Sequence, residues 1–264
     1  MTDARAAVRL ASERVASVIE DVRDPSVPLP GWDWTLGDVA AHVTGASEVY
    51  AGYARGDIAP AVDVSDIAGG SLARTSAAYL AAYPERDPRA LGPRLRAGTA
   101  ELLRVTDGRP ADDPIVWNGQ PITVGALYGV FLAELLLHGG DIAKVLDRPW
   151  EISADDARIA LDAALPIVPL LVNPATTAGR HETFELRVRG GTRVVLRVDD
   201  GSMSVRPAVG RERVDCRVSA DPVALLLIAY GRTSQWPAIA TGKLLAWGRK
   251  PWIGLRLTSY LVTP

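Results

Sequence analysis

Hydrophobic and polar positions change period part-way along the chain: helical spacing runs to about Val172, and strict alternation takes over after Thr183. Val8, Val15, Val18, Ile19 and Val22 fall on one helical face behind Thr2 as N-cap, and the cluster Pro25, Pro28, Pro30 ends that helix. Thr35-Leu36-Gly37-Asp38 reads as a capping box with Asp in place of Glu, opening a second helix whose apolar face runs through Val39, Val43, Ala46 and Val49. Gly56 and Pro60 mark its exit. Helical stretches are expected over 72–83 and 87–105, the latter broken by Thr106-Asp107-Gly108-Arg109-Pro110. A loop then runs through Trp117-Asn118-Gly119. Thr123 caps a helix to about Leu146, interrupted by Gly139-Gly140, and Ser153 caps another to about Leu171.

The stretch from Asn173 to His181 reads as a linker. Beyond it Phe184, Leu186 and Val188 alternate with Glu185, Arg187 and Arg189; Gly190-Gly191 supplies a two-residue turn, and Val194, Leu196 and Val198 answer as the partner strand. Asp200-Gly201 turns the chain towards Met203 and Val205. Val214, Cys216 and Val218 alternate in a further strand before Asp221-Pro222, an N-cap and first-turn proline. Leu244 to Trp247 is expected to return to the sheet, and Pro251 to open a final helix through Tyr260. The pattern predicts an α+β protein of two domains: a helical one over 1–172 and an α+β one over 182–264.

Composition narrows the partners. In 264 residues, 29 Lys and Arg stand against 31 Asp and Glu, and the net charge of −2 gives no general attraction for nucleic acid or anionic membrane. One cysteine, Cys216, precludes an internal disulfide and reads as a small core hydrophobe. The uncharged run 163–179 is broken by three prolines, so no membrane span is expected. The opening residues lead into an amphipathic stretch rather than a signal peptide, and a cytoplasmic location is the expectation. No Walker loop, no G-x-G-x-x-G after a strand and no cysteine pair is present.

Three histidines exist: His42, His138 and His181. Glu134, His138 and Asp141 follow the spacing E-x3-H-x2-D, which sets all three on one helical stripe with Leu127 and Phe131. His42 shares a face with Val39, Ala46 and Val49, so it too points inward. Two readings are open at this point. Each histidine can be a satisfied core residue, with Glu134 paired to an arginine; or two histidines and one carboxylate from two helices hold a divalent cation such as Zn2+, whose ligand chemistry they match. A buried carboxylate beside apolar residues is costly without a compensating cation. Asp141, one turn beyond His138, suits a supporting hydrogen bond better than direct ligation. His181 reads as an exposed residue without a role, and Trp236, Trp247 and Trp252 as core more readily than as a ligand platform.

The run Trp34-Thr35-Leu36-Gly37-Asp38-Val39-Ala40-Ala41-His42-Val43, followed by Glu134-Leu135-Leu136-Leu137-His138-Gly139-Gly140-Asp141, resembles the mycothiol-dependent maleylpyruvate isomerase family, one of the DinB-like metal-binding four-helix bundles. The resemblance covers roughly residues 5–170. It implies that His42, Glu134 and His138 ligate a divalent metal, zinc foremost, with positions left open for a thiol cosubstrate. The segment Gly242-Lys243-Leu244-Leu245-Ala246-Trp247-Gly248 is similar to sterol-carrier-protein type domains. In the isomerase family an arginine of the C-terminal domain is catalytically important, and Arg232 is the position that matches it here. The tail from Thr233 to Pro264 departs from shorter family members, which puts maleylpyruvate itself in question as substrate.

What the resemblance implies is a metal- and mycothiol-dependent isomerase or S-transferase acting on a small electrophile, with Arg232 anchoring a carboxylate. The alternative is a carrier of an apolar ligand in the C-terminal domain, the metal site being structural. A third is a metal enzyme that uses water.

Overall fold

The computed structural model describes residues 3–58 and 71–262. It divides into two compact units, one of residues up to 58 together with 72–152, the other from Ser153 onward.

The first unit is a bundle of α1 (Ala4–Glu20), α2 (Leu36–Arg55), α4 (Pro88–Val105) and α5 (Val124–Val145), with α3 (Ser71–Ala82) preceding α4. The N-cap of α1 is Asp3, whose carboxylate accepts from the Arg5 amide at 3.0 Å; Thr2 lies outside the described residues. The capping box at α2 is complete: Asp38 N–H donates to Thr35 Oγ1 at 3.2 Å and Thr35 N–H to Asp38 Oδ2 at 2.9 Å. Gly56 ends α2 in the left-handed conformation, φ 77°. Asp87 and Thr123 cap α4 and α5. By length and composition α5 could cross a membrane, but 78% of its most apolar window is buried inside the protein, as befits the central helix of a bundle.

Two expectations fail in this unit. The stretch around Trp117 is a hairpin of β1 (Pro114–Trp117) and β2 (Gln120–Thr123), turned by Asn118 and Gly119 at φ 47° and 77°. Two successive left-handed residues are what an Asn-Gly hairpin turn requires. Nor does Gly139-Gly140 interrupt α5. The helix runs through both, and the missing side chains make room for Trp150: a Cβ on Gly139 would overlap its ring and lie 2.8 Å from Val15 on α1. Trp150 Nε1 donates to the Leu136 carbonyl at 2.9 Å, fixing the ring there.

The second unit is a five-stranded sheet, order β5-β4-β3-β6-β7, from β3 (His181–Val188), β4 (Arg193–Asp199), β5 (Ser202–Pro207), β6 (Cys216–Ala220) and β7 (Leu244–Gly248). All neighbours are antiparallel except β3 and β6, which run parallel with Phe184 opposite Cys216. Phe184, Leu196, Val198, Cys216 and Val218 form the buried face, covered by the 3₁₀ helix Pro251–Tyr260 through Ile253, Leu257 and Tyr260. Helices α8 (Pro222–Ala229), capped by Asp221, and α9 (Gln235–Ala240) connect β6 to β7.

Helix α6 (Ala154–Ala164) and the 3₁₀ turn Leu165–Leu171, where Pro166 and Pro169 displace the α-helix, belong to this unit. Leu165, Val168 and Val172 pack on the sheet core. The expected linker is structured: Asn173 caps the short α7 (Pro174–Thr177), and Thr177 is fully buried. Glu185, on the polar side of the alternation, is also fully buried, because Arg187, Arg193 and Arg217 close over its carboxylate at 2.5, 3.0 and 3.2 Å.

Candidate metal centre

His42 sits in the second turn of α2, and Glu134 and His138 one turn apart on α5, the helix packed beside it. The four-residue spacing aims both α5 side chains the same way, and the capping box sets the start of α2 that brings His42 opposite them. Arg86 braces that start by donating from Nε to Asp38 Oδ1 at 2.8 Å.

Glu134 Oε2 stands 3.4 Å from His42 Nε2 and 3.2 Å from His138 Nε2, and one ligand atom from each of the three lies within 4.8 Å of the others. These separations are long for a charge-assisted hydrogen bond, which closes to about 2.7–2.9 Å. They match the edge of a tetrahedron whose vertices sit 2.0–2.2 Å from a central cation, about 3.4 Å. The donor set of two imidazoles and one carboxylate, converging through Nε2 and Oε2, therefore fits a divalent metal. Burial raises the Glu134 pKa, but the polar approach of His138 and His42 outweighs it and holds the carboxyl well below the usual carboxylate range. The group is thus an anion, as a metal ligand must be.

On the far edge of the His138 ring, Nδ1 lies 3.4 Å from Asp141 Oδ2. That is ion-pair range rather than a formed hydrogen bond, and the outer nitrogen of His42 likewise makes no hydrogen bond among the described residues; the His42 ring is held by packing on Trp34, centroids 5.0 Å apart.

Two tryptophans that sequence reasoning did not single out complete the surroundings. Trp34 lies 6.3 Å from His138, nearly parallel to it, and Trp32 meets the same ring edge-on at 6.2 Å while remaining 38% exposed. Both stand in the connection from α1 to α2, which is folded on itself: Leu29 N–H donates to Trp34 O at 2.8 Å and Leu36 N–H to Val27 O at 2.9 Å. The available signal was Trp32-Asp33-Trp34 directly ahead of the capping box, too short and aperiodic to assign a face.

Of the other residues considered, Arg232 lies in the second unit after α8, half-buried, with Nη1 donating to the Tyr230 carbonyl at 2.9 Å. Cys216 is fully buried in the sheet core. His181 is exposed and bonds Asp199 on the neighbouring strand at 2.6 Å. The core expectation for Trp236, Trp247 and Trp252 is overturned. All three are 40–61% exposed: Trp252 because Ile253, Leu257 and Tyr260 of its own helix fill the core, Trp247 because it pairs with Arg217 on the sheet face away from the core, and Trp236 on the outer side of α9.

The profile of the mycothiol maleylpyruvate isomerase N-terminal domain matches residues 4–143, which contain the whole triad. The chain belongs to that family. A second profile, the SCP-2 sterol transfer family, matches residues 172–248, most of the second unit. Among solved structures, the mycothiol-dependent maleylpyruvate isomerase is similar over 92% of this chain and 91% of its own, with a TM-score of 0.50 and 16% identity. A histidine-to-alanine mutant of a mycothiol-dependent maleylpyruvate isomerase gives the same coverage with a TM-score of 0.52 and 14% identity. At that identity the likeness establishes the two-domain α+β fold. No curated protein matches the chain.

Proposed function

We propose that this family member is a metal-dependent, mycothiol-dependent isomerase or S-transferase acting on a small electrophile. The observation that carries the reading is that Glu134 Oε2 stands at tetrahedral edge distance from both His42 Nε2 and His138 Nε2, with one ligand atom of each residue within 4.8 Å of the others. His42, Glu134 and His138 would hold the metal. A divalent cation bound there, zinc being our assignment, supplies Lewis acidity that favours the thiolate form of a thiol at neutral pH.

The chain's own residues do the rest. Glu134 contributes a fixed negative charge, and we assign Asp141, 3.4 Å from the outer nitrogen of His138, to orienting that ring. Trp32 and Trp34 wall the histidines with apolar surface, lowering access of water that would compete with sulfur.

The reaction we assign is addition of the thiolate to an alkene carbon β to a carbonyl. A carbon–sulfur bond forms and the π pair moves to the carbonyl oxygen as an enolate. Rotation about the resulting single bond, then expulsion of the thiolate, returns the alkene with inverted geometry and no net redox change. If the enolate is instead protonated at carbon, the thioether is retained and the outcome is S-transfer. We assign Arg232 to a substrate carboxylate or to the enolate charge. We assign the protein to a reducing cytoplasm, the compartment that low-molecular-weight thiol chemistry calls for.

The test is metal content of protein purified without chelator, beside His42→Ala, with a mycothiol titration on both. We expect about one metal per chain, lost in the variant, and thiol binding only where the metal is retained. A metal-free wild type that binds no thiol would sink the reading.

A further inference from the structure

The sheet face turned away from the core carries charge that its own side chains do not balance. Alternation turns Phe184, Leu186 and Val218 inward and Glu185, Arg187 and Arg217 outward. Register then lines them up. One outward rung runs Arg206, Val195, Glu185, Arg217, Trp247 across all five strands, and the next sets Arg193 directly opposite Arg187 with Ser219 on its other side. These two rungs hold four arginines. Their acids are Glu185 and Glu212, the latter reaching in from the loop after β5 to pair with Arg206, which leaves an excess of two positive charges. The next acids along the sheet are already taken, Asp199 by Arg197 and His181, Asp215 by Arg249 and Lys250.

Like charges opposed across an antiparallel pair destabilise it, so Arg187 against Arg193 is a cost that one shared carboxylate does not remove. What Glu185 does is aim the arginines. Its Oε1 accepts from Arg187 Nε at 2.5 Å and from Arg193 Nη2 at 3.0 Å, and its Oε2 from Arg217 Nε at 3.2 Å. Three guanidinium groups thus converge over one fully buried carboxylate. Arg187 is held further by lying 5.5 Å over the Trp247 ring, which it reaches past the small Ser219. Both Nη groups of Arg187, Nη1 of Arg193 and Nη1 of Arg217 donate to no protein atom among the described residues. The Arg187 and Arg193 side chains are 37% and 41% exposed, so these donors face outward.

We propose that this cluster binds the phosphoryl group of a soluble phosphate monoester. A charge of nearly −2 matches the excess, and three acceptor oxygens in a tetrahedral head serve several guanidinium forks at once. Glu185 is a positioning residue that presents the arginines to the ligand. A nucleic-acid strand calls for a longer stripe of cations than two rungs supply. The site is independent of the chemistry at the histidine triad and of Arg232.

The test is isothermal titration of the full-length protein with inorganic phosphate and with glycerol 3-phosphate at fixed ionic strength. Arg187→Gln and Arg193→Gln each leave two arginines on Glu185, and Arg187→Lys keeps the charge but loses the fork. Lys144→Gln on the first unit is a control for general charge, and His42→Ala for phosphate captured by a metal. Circular dichroism checks folding. We expect saturable binding to the wild type, competed by sulfate and not by chloride, about tenfold or more weaker in each arginine variant and unchanged in both controls. A folded wild type that binds no phosphate, folded arginine variants that bind as the wild type does, or loss in either control overturns the proposal. So does binding of phosphatidic acid vesicles or of single-stranded DNA without binding of the soluble phosphates.

Discussion

Asp141 and Glu134 approach the His138 ring from opposite nitrogens, Asp141 Oδ2 at 3.4 Å from Nδ1 and Glu134 Oε2 at 3.2 Å from Nε2. A shift of a few tenths of an ångström would close the Asp141 contact into a hydrogen bond that fixes the tautomer with Nε2 free to ligate. Replacing Asp141 by Asn should preserve the bundle and lower metal affinity about 10–100-fold. Competition with a chelator of known strength measures this, and unchanged affinity would separate Asp141 from the site.

Trp32 and Trp34 are two of seven tryptophans, and both lie against the histidines. Cobalt added to chelator-treated protein should quench the part of the emission that comes from them. With Trp32→Ala and Trp34→Ala together, that quenching should vanish although cobalt still binds, as its absorption spectrum would show. Equal quenching in the double variant would place the cation elsewhere.

Asp38 couples α2 to acid stability. Burial opposes its ionisation, but bonds from the Thr35 amide, the Arg86 guanidinium and the Thr35 hydroxyl prevail and lower its pKa. A carboxyl lowered on folding stabilises fully above its unfolded pKa, about 3.9, and loses that contribution as pH falls through the folded value. Asp38→Asn should therefore cost about 1 kcal/mol at neutral pH, the gap to wild type narrowing below pH of about 4. Urea denaturation across pH gives both numbers, and a gap that widens with acid would reverse the assignment.

Adjacent glycines on α5 should respond unequally to alanine. At Gly139 a methyl overlaps the Trp150 ring and lies 2.8 Å from Val15, whereas at Gly140 the nearest atom is Trp150 Cδ1 at 3.1 Å. Gly139→Ala should destabilise by roughly 1–3 kcal/mol through overpacking. Gly140→Ala should be close to neutral, since about 1 kcal/mol of helix propensity offsets the milder contact. Guanidinium denaturation of the two variants tests the order.

What could be read from the sequence was what local spacing determines. Thr35 and Asp38 announce the start of α2 because a capping box closes within four residues. Glu134 and His138 announce a shared face because the helical turn puts them there. His42 joined them only through the inward side of its helix, and its pairing with α5 was an inference about packing. Pro114 and Pro121 masked the β1–β2 hairpin, since proline argues against a strand, although Asn118-Gly119 carried the turn signal. The places of Trp32 and Trp34 rest on hydrogen bonds within a connection that has no period. Side-chain type favours the core for the three exposed tryptophans, but the 3₁₀ geometry of 251–260 turns Trp252 outward and the alternation of β7 puts Trp247 on the face of Arg217.

The second unit closes on itself. Val172 bridges Leu261, Asn173 N–H donates to Tyr260 O at 2.9 Å, and Val262 N–H to Leu171 O at 2.7 Å. Residues 171–173 and 260–262 are therefore neighbours, stitched as if by a short ladder, and the path between them forms a loop with a single clasp. Every strand of the sheet lies within that loop, so a break at the Gly190-Gly191 turn leaves the clasp closed and asks no strand to change partners.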